Sequence, residues 1–120
     1  MNERRASLME DIGQLQFEVL CGLLWHPELT GDVTPHLFAG SPASVCIVKA
    51  IKGGARSLVH IAFAAAKIAK VGPDRFPMGQ LVDLYATGGS KPGTAMRIRV
   101  LKSVARELYE LERSSMRAAA

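Results

Sequence analysis

The side chains that could do chemistry are few. The only imidazoles are His26, His36 and His60, and the only thiols are Cys21 and Cys46. No two of them stand at the short spacings by which a helix or turn holds zinc, so no metal site is expected. Both cysteines lie inside apolar runs and read as small buried thiols of a reducing compartment, not as a disulfide or a nucleophile. His60, on an alanine-rich stretch, reads as a half-buried structural histidine. His26 precedes a proline at the end of an apolar run, where an imidazolium would favour the negative end of a helix. The pairs Gly53-Gly54 and Gly88-Gly89 invite a phosphate-loop reading. Such a loop needs a lysine to reach the phosphates and then a hydroxyl residue for the magnesium. Gly88-Gly89-Ser90-Lys91 comes nearest, but Pro92 stands where the hydroxyl belongs, so helix punctuation is the better reading. Carboxylates are scarce within the apolar runs, which leaves paired acid–base catalysis without a seat. The expectation is a binding protein, with no catalytic residue and no cofactor.

Charge is the second chemistry. A net charge of +4 permits an acidic partner or nucleic acid without demanding either. Lys91, Arg97, Arg99 and Lys102 lie at the start of a helical stretch that follows a short helix and a glycine turn. That order fits a helix–turn–helix whose second helix enters a major groove. The expected turn is longer than the usual three or four residues and contains Pro92, so an ordinary helical hairpin is preferred. Glu107, Glu110 and Glu112 interleave with the basic residues further on, the pattern of a solvated mixed face. Nucleic acid is therefore an alternative partner and not the favoured one.

The elements that must position these residues are helices. Leu8, Ile12, Leu15, Val19 and Leu23 form one apolar stripe, and Phe17, Leu20 and Leu24 a second. Together they cover more than half of a helix from Leu8 to Trp25, which predicts a central helix coated by the rest of the chain. Ser7 with Glu10 has the form of a capping box at its start, Pro27 stops it, and Gly13 and Gly22 are weak points. Thr34-Pro35 opens one turn that sets Leu37 and Phe38 on the core. Ser41-Pro42 opens a short helix to about Lys52, although the β-branched Val45 to Ile51 would also suit a strand. Ala55 to Lys70 is a strong helix, with Leu58, Ile61, Ala65 and Ile68 on one side, Gly72 as its left-handed cap and Pro73 beyond. Pro77 to Ala86 and Ala95 to about Met116 complete the set, and Arg106 can pair with Glu110.

The fold expected is all-α, a compact bundle of about five to six helices around a central apolar helix. It is a single domain over residues 1–120, frayed at about 1–6 and 117–120. There is no apolar segment of a signal peptide near Met1, and Arg56, His60 and Lys67 interrupt the best candidate for a membrane span. A cytoplasmic protein without membrane contact is expected.

With the helices placed, the run Leu15 to Leu29, ending LLWHPEL, resembles the first helix of the N-terminal domain of DnaB-type replicative helicases. It is also similar to the helicase-binding C-terminal domain of bacterial primases, which has a like "HPEL" ending. Ser57 to Gly72 followed by Phe76-Pro77-Met78 looks like the family's third helix and the entry to the next. Leu81 to Gly88 resembles its short leucine-rich helix, and Ala95 to Leu111 its closing helix. Ser41 to Gly54 departs from the family as an insertion, and the usual proline-histidine pair before the third helix is absent. No ATPase or primase catalytic domain follows in the sequence. The resemblance implies a non-enzymatic interaction module of a replication system, phage- or plasmid-borne, that binds or mimics a helicase or primase docking surface. Trp25, His26, Glu28 and Leu29 are the expected partner-binding residues, and a homodimer built on unpaired helix faces is a third possibility.

Overall fold

The computed structural model describes residues 3–72, 74 and 78–119. Among them the chain is all-helical. The elements are α1 (Glu3–Trp25), α2 (Pro42–Lys52), α3 (Leu58–Ala69), α4 (Met78–Thr87) and α5 (Lys91–Ala119), and short 3₁₀ helices at Pro27–Asp32 and Pro35–Phe38 link α1 to α2. None of these helices is long and apolar enough to cross a membrane. Met1, Ala120, Pro73 and the Phe76-Pro77 pair lie outside the described residues.

α1 and α5 run antiparallel and make the most extensive contact in the molecule. α4 packs on α1 and α3, and α2 packs on α3 and on the two 3₁₀ helices. The core joins Val19, Leu20, Leu23 and Leu24 of α1 to Phe38, to Ile47, Val48 and Ile51 of α2, to Ile61 and Ala65 of α3, to Leu81, and to Ile98 and Leu101 of α5. Each large side chain so buried is worth roughly 1.5–3 kcal/mol relative to exposure.

The coat around α1 is narrower than its apolar circumference predicts. Only Val19 to Leu24 are buried without interruption. Upstream, Leu8 is buried and Ile12 and Leu15 half-buried, while Met9 and Phe17 stand 48% and 45% exposed. The physical reason is reach. The early turns of α1 face α5, and a two-helix contact hides only one stripe. The helix also begins earlier than the capping box implies, so Ser7 is an interior position. Arg4 pairs with Glu107 and Arg5 with Glu112 at 3.1 Å, which ties the first turn of α1 to α5. α5 in turn runs past the expected end at Met116.

Gly22 is a packing requirement and not a weak point. A Cβ there would sit 1.9 Å from Thr94 Oγ1, so only glycine lets α5 cross α1 this closely. α2 takes the serine-proline start and forms a helix instead of the alternative strand, burying Ile47, Val48, Ala50 and Ile51. Its last turn is stitched to the first 3₁₀ helix by Lys52, whose ammonium donates to the carbonyls of Thr30 and Val33, both at 2.7 Å. α3 starts later than expected, because the Ser57 hydroxyl accepts from the His60 amide and caps the helix there. It ends on Lys70 in the left-handed conformation, φ 60°, two residues before Gly72.

Candidate functional site

The end of α1 and the turn between α4 and α5 meet, and this junction gathers most of the residues expected to act. Trp25 stacks on Tyr85 with ring centroids 4.2 Å apart and planes 14° from parallel. Its indole N–H donates to the Tyr85 carbonyl at 2.7 Å. His26 Nε2 lies 3.0 Å from the Gly89 carbonyl, which can only accept, so this nitrogen carries the proton. The turn that receives these contacts passes close to the α1 backbone. Gly88 has φ 63°, and a Cβ on it would approach the Trp25 Nε1 atom to 3.1 Å. Its glycine is needed on both counts.

The indole N–H of Trp25 and Nε2 of His26 are therefore spent inside the molecule, although the indole remains 48% exposed. Glu28 is exposed and faces Lys91 at 3.9 Å, a surface ion pair. Leu29 is 8% exposed and belongs to the core, so it offers no surface to a partner. It is buried because the Pro27–Asp32 3₁₀ helix folds back under α1 and α2.

The four basic residues of the helix–turn–helix reading do not form one group. Lys91 faces Glu28, and the half-buried Arg97 faces Glu18 of α1 at 3.8 Å. Arg99 and Lys102 are exposed and pair with no carboxylate among the described residues. The turn itself is shorter than expected. It comprises residues 88–90, and Pro92 sits inside the first turn of α5, where a missing N–H costs nothing. Ser90 supplies the cap, its hydroxyl accepting from the Gly93 amide at 3.1 Å. Nor do the two helices form a close hairpin: α4 and α5 each pack on α1 more than on one another.

A second feature escaped the sequence. An open groove of about 500 Å³ runs between α1, α2 and α4. Phe17, Leu20, Ala43, Ile47 and Leu84 form its apolar wall, with Gln80 and Asp83 among its polar lining. Gln16 braces one side by donating to the carbonyls of Leu37 and Ala39, at 2.9 and 3.3 Å. The sequence signal was the second apolar stripe of α1, which has no full cover at Phe17.

Burial pushes the Cys21 thiol up, only partly opposed by a hydrogen bond with the Thr87 side chain. Cys46 is half-buried and unpaired in any disulfide. The three histidines lie apart, His26 after α1, His36 in the second 3₁₀ helix and His60 in α3. Comparison of the chain with protein-family models, curated sequences and solved structures finds no match.

Proposed function

We propose that the chain is a non-enzymatic docking module whose α1–α2–α4 groove receives an amphipathic helix of a partner protein. The observation that carries this reading is Phe17, an aromatic residue held 45% exposed above an apolar cleft between three helices. Grooves of this kind bind the apolar face of a helix through anchors spaced at three and four residues. An aromatic anchor at the centre of such a contact is the usual carrier of affinity. The sequence resemblance supplies the partner class, a replicative helicase or primase. Trp25 and His26 then serve the site indirectly: they fasten the α4–α5 turn to α1, and α4 is one wall of the groove.

Binding of the purified protein to a replicative helicase and to a primase tests the proposal. The expected result is micromolar or tighter affinity for one of them, lost in Phe17→Glu without a change in thermal midpoint. Absence of binding to both at micromolar concentration would overturn the replication assignment. Binding that survives Phe17→Glu would overturn the groove.

A further inference from the structure

The C-terminal helix carries a basic face that its sequence conceals. Read linearly, Glu107, Glu110 and Glu112 alternate with arginines and the helix looks electrically mixed. In three dimensions two of those acids are engaged by α1 in surface ion pairs, Glu107 by Arg4 and Glu112 by Arg5. What remains outside is Arg99, Lys102, Arg106, Arg113 and Arg117, all exposed, with Tyr109 between them at 62% exposure. Their spacings of three, four, seven and four residues place them on one stripe, to one side of the face that buries Thr94, Ile98 and Leu101. None of the five basic residues has an ion-pair partner among the described residues; Glu110 stands near them, and Glu112, already engaged by Arg5, shares a cleft with Tyr109 and Arg113. The stripe spans about 27 Å at 1.5 Å rise per residue.

We propose that this face of α5 binds duplex DNA through its phosphates. A helix of roughly 10–12 Å diameter can lie along a major groove about 12 Å wide, with its cationic stripe against the phosphates that line it. The deep, narrow major groove of duplex RNA admits no such helix. A membrane surface is the poorer partner, because an interfacial helix needs a free apolar face and that of α5 is occupied by α1. The mode differs from a helix–turn–helix contact at the start of α5, where Lys91 and Arg97 face carboxylates of the protein itself. It uses residues remote from Phe17 and stands independently of the protein-docking groove.

Anisotropy of a labelled 20-base-pair DNA duplex, titrated with the full chain at several salt concentrations, tests it. Five phosphate contacts predict a slope of log affinity against log salt near about −4.5, or about 500-fold between 50 and 200 mM. Arg106→Glu with Arg113→Glu is expected to weaken binding at least tenfold and flatten the slope. Arg106→Gln with Arg113→Gln should fall between, and circular dichroism should show every variant as helical as the parent. The proposal is overturned if the duplex is not bound at 50 mM salt, or if both double variants bind like the parent. It is also overturned if Lys91→Glu with Arg97→Glu abolishes binding that the stripe variants leave intact, or if vesicles rich in phosphatidylserine bind as tightly as the duplex.

Discussion

The backbone of Gly22 and the side chain of Thr94 occupy the same small space at the crossing of α1 and α5. A Cβ on Gly22 would meet Thr94 Oγ1 at 1.9 Å, Cγ2 at 2.6 Å and Cβ at 2.7 Å, so neither rotation nor a modest shift of the threonine could make room. Thr94 is fully buried there, with its hydroxyl lacking a hydrogen-bond partner among the described residues. Gly22→Ala should therefore destabilise the fold by about 1–3 kcal/mol despite the better helix propensity of alanine. Chemical denaturation reads this directly, and Gly13→Ala, where nothing lies within 4 Å, is the control expected to be neutral or stabilising.

Trp25→Phe should retain part of the ring stack on Tyr85 while deleting the indole donor to the Tyr85 carbonyl. The site is half open to water, so the loss is expected near the net value of one hydrogen bond, about 0.5–1.5 kcal/mol. Trp25→Ala, which removes the stack as well, should cost more in the same denaturation experiment.

Lys52→Met keeps the aliphatic stem and removes the ammonium that serves the Thr30 and Val33 carbonyls. Each such bond carries a full charge on the donor, and the expected cost is about 2 kcal/mol for the pair after allowing for solvent. Hydrogen exchange of the Val33 amide, which bonds the Thr30 carbonyl at 3.3 Å, should accelerate in this variant and leave α5 unaffected.

The two thiols should separate by reactivity. Cys46 is partly accessible and Cys21 is fully buried, so a thiol reagent at neutral pH is expected to modify Cys46 first and Cys21 only on unfolding. Burial raises the folded-state pKa of Cys21, so above about pH 8.5 the unfolded thiol loses its proton before the folded one does. Stability should then fall as pH rises through that range. Cys21→Ala should remove this contribution while costing packing energy at all pH values.

Much of the helical order was legible because its signals are local. Pro27 after His26, Ser41-Pro42, Gly53-Gly54 and Gly88-Gly89 act on the backbone of their own neighbourhood, and each stands at a helix boundary in the structure. The start of α1 was misplaced because the partners that Arg4 and Arg5 meet there, Glu107 and Glu112, lie more than a hundred residues away. The same long-range pairing hid the basic character of α5, since linear spacing cannot say which carboxylates are already engaged. Leu29 misled for a related reason. Its neighbours His26 and Glu28 reach the surface, but a 3₁₀ helix turns successive side chains through wide angles, and Leu29 falls inward. The groove at Phe17 was foreshadowed by an apolar stripe wider than one neighbouring helix can cover, although periodicity alone reads such a stripe as core.

The stack of Trp25 on Tyr85 has one further consequence, which is optical. It places the chain's single indole where α1, α4 and the turn into α5 converge. Its emission is therefore a built-in reporter, without added dye, of whether that junction is closed. A ligand that moved α4 to widen the groove would shift the spectrum, whereas one that bound the far end of α5 would leave it unchanged.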